Sequence, residues 1–208
     1  MLKVLKYALV IIVILLITSL CLIFFTSNNK NWIKNADVDL SVYRPYVLNT
    51  EINFNHKGNS KKYIKQEDGW GGQEKEYRIN RGKESKVKLY IKDGKNKDIL
   101  LNMHSFGLFD QNKYKFQTIT LTANDTEIQK WEINYESNNY SATIPASVMK
   151  DNTLVLTFLI KDPYIYVSEN DSIPIGIAIK KMVLKNYSTS ETKKKVAKWL
   201  KNKLSKLK

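Results

Sequence analysis

Aromatic, glycine and carboxylate residues cluster near position 70 and have the types and spacing for ligand binding. Trp70 lies in the run Gly69-Trp70-Gly71-Gly72, and Glu74 follows two positions later. An indole face stacks on the apolar C–H face of a sugar, carboxylates accept bonds from sugar hydroxyls, and glycines permit close backbone approach. We therefore predict a glycan contact at Trp70 and Glu74. The structural alternative is that Trp70 plugs one end of the fold, with Glu74 paired to Arg78.

Residues that bind metals are few in this sequence. With two histidines and one cysteine, the chain has no internal disulfide framework and no cysteine-based zinc site. His104 and Asp110 supply two candidate ligands, too few for a site, so we predict a hydrogen-bonded histidine at the end of a strand. Asp162, Glu169 and Asp171 flank a tyrosine-rich loop. We expect no cofactor, with Ca²⁺ on these carboxylates as the alternative to solvated turn acids.

No nucleophile or phosphate-binding motif accompanies these residues. The sequence contains no Gly-x-Ser-x-Gly, no phosphate loop and no dinucleotide fingerprint. Carboxylates such as Glu67 and Glu74 have no acid and base roles unless they face each other across a cleft. We predict that the protein is not an enzyme, with a glycan hydrolase as the alternative. Tyr164 and Tyr166 are expected to line a cleft or to cover a sheet edge.

Alternating apolar and polar residues dominate positions 45–187. Examples are Val87, Leu89 and Ile91, which alternate with lysines, and this period of two predicts half-buried strands. Asn124-Asp125 predicts a hairpin turn, because both residues tolerate positive φ. The three-residue step from Ile128 to Trp131 predicts a bulge, with Trp131 in the core. Eight or nine short strands without a long amphipathic helix predict an all-β fold, an antiparallel β-sandwich that is jelly-roll-like.

Several short motifs resemble one known family. Gly69-Trp70-Gly71 with Glu74 and Tyr77 resembles the opening signature of a β-sandwich domain attached to bacterial multi-pass membrane glycosyltransferases. The late Asp171 followed by Ile175-Gly176-Ile177 resembles its ending. The resemblance implies an exported module of the kind attached to a membrane glycosyltransferase. We predict that Tyr77 and Asp171 join Trp70 and Glu74 in a glycan site.

Two positions depart from that family pattern. Ser172-Ile173-Pro174 fills the stretch that usually carries an Arg, and Tyr77 replaces a second early Trp. No transferase segment accompanies the domain in this sequence. We therefore expect a stand-alone copy.

The amino-terminal segment has the length and composition of a membrane anchor. After the short leader 1–6, residues 7–25 read YALVIIVILLITSLCLIFF without a charge, and about 19 helical residues span a bilayer core. A cleaved signal peptide is the alternative, although no small-x-small site follows. We predict a signal-anchor, a linker over 26–44, and a main domain outside the bacterial cytoplasmic membrane.

Half of the +14 net charge lies in the last 21 residues, where eight lysines accompany Glu191. Residues 188–208 place Trp199 and Leu200 on one helical stripe, with lysines around it. We predict a basic amphipathic helix on an anionic bilayer, with a solvated tail or a helix packed on the sandwich as alternatives. The predicted lipid contacts are Trp199, Leu200, Lys194, Lys195, Lys198 and Lys201. No basic groove with aromatic residues supports nucleic-acid binding.

These features together predict a single-pass envelope protein. The leading hypothesis is a non-catalytic module that binds envelope glycan or assists cell-surface polysaccharide synthesis. The alternative is a structural or protein-interaction module of the membrane surface without sugar affinity.

Overall fold

The computed structural model describes residues 41–168 and 171–187. The described part is all-β, with short 3₁₀ segments at Ser60–Lys62, Gln66–Asp68 and Ala146–Val148. Its strands are β1 (Arg44–Tyr46), β2 (Glu51–Asn53), β3 (Trp70–Gln73), β4 (Arg78–Asn80), β5 (Glu84–Ile91), β6 (Ile99–Gly107), β7 (Gln117–Ala123), β8 (Thr126–Ile133), β9 (Asn138–Ile144), β10 (Thr153–Ile160), β11 (Tyr164–Ser168), β12 (Asp171–Ile175) and β13 (Ile177–Asn186).

The strands form two large sheets and one separate hairpin. The first sheet has the order β1-β5-β10-β7-β8 and the second β3-β4-β13-β6-β9, with β2 also paired to β13. Strands β11 and β12 pair with each other. Strand β1 runs parallel to β5, whereas the other pairs in the described part are antiparallel. Omitting β1–β3 and the hairpin leaves β4-β13-β6-β9 facing β5-β10-β7-β8, which is the double Greek-key order of a jelly roll.

The burial of side chains follows the predicted period of two. Along β6, Ile99, Leu101 and Met103 are buried and the residues between them are partly exposed. The inward side chains of both sheets form one hydrophobic cluster. Trp70 of β3 packs edge-on against Phe158 of β10, with ring centroids 6.0 Å apart. Because these strands belong to different sheets, the contact fixes the two sheets face to face.

The turn and bulge predicted from the sequence are confirmed. Asn124 and Asp125 have φ values of 45° and 68° and join β7 to β8, as the two-residue hairpin geometry requires. Leu121 pairs with Gln129 whereas Thr122 pairs with Glu127, so Ile128 is the extra residue of a bulge.

The described part contains thirteen strands, more than the eight or nine expected. The additional strands include β1 and β4, each three residues long. Three residues are too few to show an alternation of apolar and polar side chains. These strands form because strands distant in the sequence offer them backbone hydrogen bonds. The hairpin β11–β12 was expected to be a loop.

Several predictions concern residues outside the described ranges. The leader 1–6, the predicted anchor 7–25, most of the linker 26–44, Glu169 and the helix predicted for 188–208 all lie there. The predicted lipid contacts Trp199, Leu200, Lys194, Lys195, Lys198 and Lys201 lie there as well. Within residues 41–168 and 171–187, no helix is long and apolar enough to cross a membrane.

Candidate functional site

Four connections of the jelly roll meet at one end of the sandwich. Because neighbouring strands are antiparallel, the connections β4–β5, β6–β7, β8–β9 and β10–β13 all fall at that end. Backbone bonds tie them together: Gly82 N donates to Pro174 O at 2.7 Å, Leu108 N to Gly176 O at 2.9 Å, and Gly107 N to Asn134 O at 2.7 Å.

Asn80 fixes this arrangement from inside. Its buried Oδ1 accepts bonds from Gly176 N and Ile177 N, both at 2.7 Å, and its Nδ2 donates to Gly82 O at 2.8 Å. One amide therefore holds the start of β13 against the connection that follows β4. Strand β12 of the hairpin continues through Gly176 directly into β13. The bonds to Asn80 therefore also fix the base of the hairpin β11–β12.

A cleft of about 1120 Å³ lies at this end. Its walls come from β3, β4 and the turn between them, the loop after β6, the β8–β9 turn, and the hairpin β11–β12. The lining residues are Gly71, Gly72, Glu74, Tyr77, Ile79, Arg81, Leu108, Phe109, Asp110, Gln111, Asn112, Tyr135, Tyr164, Tyr166, Ile173 and Ile175.

Aromatic rings dominate the apolar part of the cleft. Tyr135, Tyr164 and Tyr166 are 53%, 41% and 51% exposed, so their faces are available to a ligand. The ring of Tyr135 meets that of Phe109 edge-on at 6.4 Å. Tyr77 is held in the same way against Phe106, at 5.0 Å and 89°. Edge-on packing of this kind fixes a ring while leaving its other surfaces free.

The polar part of the cleft consists of carboxylates, amides and one guanidinium. Asp110 accepts a bond from Asn112 N at 3.0 Å and lies 3.6 Å from Lys113 Nζ. Arg81 Nη2 lies 3.0 Å from Asp171 Oδ2. Glu74 is exposed, and its backbone N–H is bonded to Tyr77 O at 2.8 Å. Carboxylates and amides accept and donate the bonds that sugar hydroxyls need.

The predicted site residues have different places in this arrangement. Glu74 and Tyr77 line the cleft, and Asp171 reaches it through its ion pair with Arg81. Tyr164 and Tyr166 line it too, which is one of the two roles expected for them.

The prediction that Trp70 contacts a glycan is wrong. Its side chain is 0% exposed, and its Nε1 donates to Lys86 O at 2.7 Å. Gly69 precedes it with φ +82°, at a point where a Cβ would lie 2.2 Å from Glu84 O. The glycine therefore allows the chain to turn the indole into the core, and Trp70 has the structural role given as its alternative.

The ion pair suggested between Glu74 and Arg78 is absent from the described contacts. Arg78 is buried, and its Nε donates to Gly71 O at 2.6 Å. Burial lowers the pKa of the Arg78 guanidinium from its usual value. Its Nη1 has no hydrogen-bond partner among the described residues. Arg78 lies on the core side of β4, whereas Glu74 lines the cleft. The two side chains are therefore not partners.

A bulge between β3 and β4 shapes the floor of the cleft. Trp70 pairs with Asn80 and Gln73 with Arg78, so Gly71 and Gly72 together oppose Ile79. A Cβ at Gly72 would meet no atom within 4 Å. The bulge thus leaves open space above Gly72, where a ligand has room.

No metal site emerges from the described residues. Within them, no three His, Cys, Asp or Glu side chains are grouped to hold an ion. Both ring nitrogens of His104 have partners, Asn139 Oδ1 and Ser137 Oγ, each at 3.0 Å. Trp131 lies in the core beside Tyr140, as expected from the sequence.

Sequence reasoning missed part of the lining. Arg81, Phe109, Gln111, Asn112 and Tyr135 come from connections far apart in the chain. Tyr135 gave a usable signal, because an aromatic residue in a polar hairpin turn has no core to enter. The other four residues gave no local signal, because only the folded chain brings them to the same cleft.

No protein-family model matches the chain, and no curated protein matches it. Solved structures with similarity include the EclA C-terminal domain, titled a sugar-binding protein, at 17% identity and TM-score 0.31; the alignment covers 44% of this chain and 59% of that one. The C-terminal CBM6 of LamC from Zobellia galactanivorans aligns at 9% identity and TM-score 0.40, covering 66% and 98%. A CBM4 structure aligns at 8% identity and TM-score 0.38, covering 67% and 96%.

TM-scores of this size mark a partial likeness, and no ligand for this chain follows from them. The chain spans 59% of the length of the EclA domain. The expected attachment to a membrane glycosyltransferase has no counterpart in these comparisons and stays a prediction.

Proposed function

We propose that this protein is a non-catalytic β-sandwich module that binds envelope glycan in the cleft at the loop end of the jelly roll. The observation that carries the proposal is the set of three half-exposed tyrosines, Tyr135, Tyr164 and Tyr166, on the walls of one cleft. Phenol rings stack on the C–H faces of sugars. Carboxylates and amides beside them, such as Glu74 and Gln111, supply hydrogen bonds to hydroxyls.

The size of the cleft favours an oligosaccharide over a single sugar. Sites for drug-sized ligands enclose about 300–1,000 Å³, and this cleft measures about 1120 Å³. Tyrosines contributed by two separate elements, the β8–β9 turn and β11, provide more than one stacking surface. We therefore expect affinity to rise with the number of sugar units.

A glycan array with the full chain in detergent tests this proposal. Tyr166→Ala removes a stacking face from the cleft and is expected to reduce binding at least about tenfold. Phe116→Ala is the matched control, because Phe116 is an aromatic residue that is 38% exposed and lines neither the cleft nor the smaller pocket that adjoins it at Tyr164. Equal binding by both variants, or no binding by the wild type to any glycan, would contradict the proposal.

The proposal includes a membrane location, which rests on the sequence. Residues 7–25 form the anchor, and the basic residues of 188–208 contact the anionic surface, so the sandwich stands outside the cytoplasmic membrane beside a polysaccharide-synthesising glycosyltransferase. The test is fractionation of cells. The protein should stay in membranes washed with alkaline carbonate and be degraded by protease added to spheroplasts. Release by carbonate, or protection from protease, would exclude this location.

An apolar hairpin favours a second candidate, a protein-interaction module without sugar affinity. Ile165 and Val167 of β11 are 48% and 72% exposed, and they alternate with the cleft tyrosines along the strand. Exposed apolar side chains of this kind often mark protein contacts. A membrane partner that crosslinks to the wild type but not to Val167→Asp, together with a blank glycan array, would favour this candidate.

The hydrolase alternative has a separate test, since Glu74 and Asp110 both line the cleft. An enzyme would release reducing ends from a bound glycan, whereas a binding module leaves the polymer intact.

A further inference from the structure

The charge of the cleft differs in sign from that of the protein. The chain carries 34 Lys and Arg against 20 Asp and Glu. Among the residues that line the cleft, however, there are two carboxylates, Glu74 and Asp110, one guanidinium, Arg81, and no lysine. The cleft lining therefore carries a net negative charge inside a strongly basic molecule.

The ion pairs around the cleft do not remove this charge. Arg81 is paired with Asp171 at 3.0 Å and Asp110 with Lys113 at 3.6 Å. The partners outside the lining, Asp171 and Lys113, add one negative and one positive charge, so the net charge of the cleft does not change. Glu74 remains as an exposed carboxylate without an ion pair among the described residues. An anionic glycan in the cleft would be repelled by the carboxylate of Glu74.

The same side chains suit a cation. A carboxylate forms a charge-assisted hydrogen bond with an ammonium group, and tyrosine faces attract cations through the ring quadrupole. Both kinds of group line one cleft here, with Glu74 on the β3–β4 turn and tyrosines on the β8–β9 turn and β11. A neutral N-acetyl group makes neither interaction with the same strength.

From these groups, which rest on the proposed glycan function, we infer that the cleft selects a glycan with free amines, such as a de-N-acetylated hexosamine polymer, over its acetylated or anionic counterparts. Glu74 is the specificity-determining residue, since it holds the unneutralised charge. The tyrosines bind the sugar rings of all three kinds of polymer, so the amine adds affinity to a contact that exists without it.

The test uses three oligomers of equal length and the full chain in detergent, followed by calorimetry. The probes are β-1,4-linked glucosamine at a pH where its amines are protonated, the matching N-acetylglucosamine oligomer, and a galacturonate oligomer. We expect the glucosamine oligomer to bind about tenfold more tightly than the acetylated one, and the galacturonate oligomer most weakly. Glu74→Gln should abolish the difference between the first two probes while leaving the acetylated oligomer bound.

Glu76→Gln is the matched control for Glu74→Gln. Glu76 lies two positions away, pairs with Lys180 at 3.6 Å and does not line the cleft, so this variant should keep the preference. Tighter or equal binding of the acetylated oligomer, or a preference that survives Glu74→Gln, would overturn the inference.

The two proposals fail in different ways. If array glycans bind and Tyr166→Ala releases them, but the amine gives no advantage, the inference fails and the glycan function stands. If no glycan binds at all, both fail.

Discussion

Arg81 Nη2 lies 3.0 Å from Asp171 Oδ2, across 90 positions of sequence. The pair joins the residue that follows β4 to the first residue of β12, at the mouth of the cleft. Both side chains are about half exposed, so solvent screens the pair and it adds at most about 1 kcal/mol to stability. Its larger effect is electrostatic, because the carboxylate of Asp171 offsets the positive charge of Arg81, the one guanidinium in the cleft lining.

Asp171→Asn is expected to weaken the preference for an amine-bearing oligomer without unfolding the protein. The change leaves the charge of Arg81 unopposed by this carboxylate, so the cleft becomes less negative. We expect the affinity for the glucosamine oligomer to fall about threefold, the affinity for the acetylated oligomer to stay constant, and the melting temperature to shift by no more than a few degrees. Calorimetry and thermal unfolding measure these three quantities.

Asp125→Asn is the control for this change, since Asp125 is exposed and lies in the β7–β8 turn, at the other end of the sandwich from the cleft. If both variants lower the affinity equally, the effect belongs to the net charge of the protein and the assignment to the cleft is wrong.

Substitutions of Trp70 are expected to change stability and leave glycan affinity alone. Trp70→Ala removes a fully buried indole and should lower the free energy of unfolding by about 3–5 kcal/mol. Trp70→Phe keeps much of the packing but leaves Lys86 O without the indole N–H, at a cost of about 1–3 kcal/mol. Denaturant unfolding measures both losses.

Folded Trp70→Phe should bind glycan as the wild type does. A large loss of binding by this variant at unchanged stability would show that the indole reaches the ligand, against its position in the core.

Stability is expected to decline in alkaline solution because of Tyr46. Burial raises the pKa of its phenol to about 12, and its hydroxyl donates to Thr50 O and accepts from Leu184 N at 3.0 Å. The pKa in the unfolded chain is about 10. The folded state therefore holds this proton more tightly, so its contribution is complete below about pH 10 and is lost as the pH rises towards 12.

Urea unfolding of the wild type should show a fall of up to about 2 kcal/mol over this range. Tyr46→Phe should start lower, because two hydrogen bonds are lost, and then fall less steeply. A residual slope is expected from Tyr63, whose pKa is also raised by burial. Parallel slopes for the two proteins would show that Tyr46 is not responsible.

The sequence predicted those parts of the fold that depend on local chemistry. The two-residue turn at Asn124 and Asp125 follows from their tolerance of positive φ, and the bulge at Ile128 follows from a break in the period of two. The short strands β1 and β4 have no such local signal. They exist because β5 and β13 offer bonding edges, which are set by topology and not by three residues.

The sequence also predicted only the part of the candidate site that lies within one local motif. Glu74 and Tyr77 belong to a recognisable motif and both line the cleft, whereas Trp70 of the same motif turns inward. Its direction depends on Gly69, whose φ of +82° places the chain against Glu84, a contact with a strand the sequence does not reveal as a neighbour. Tyr135 reaches the cleft because four connections converge at one end of the sandwich.

Filling the cleft without removing any of its groups is the most direct test of the central claim. A Cβ at Gly72 would meet no atom within 4 Å, and Gly72 lines the cleft, so a large side chain there enters the open space and leaves the core intact. Gly72→Ile, whose side chain occupies part of that space and offers no ring for a sugar to stack on, is therefore predicted to fold with a wild-type melting temperature and to lower glycan affinity at least about tenfold by calorimetry, while Gly72→Ala keeps it. Undiminished binding by a normally folded Gly72→Ile protein would contradict the account.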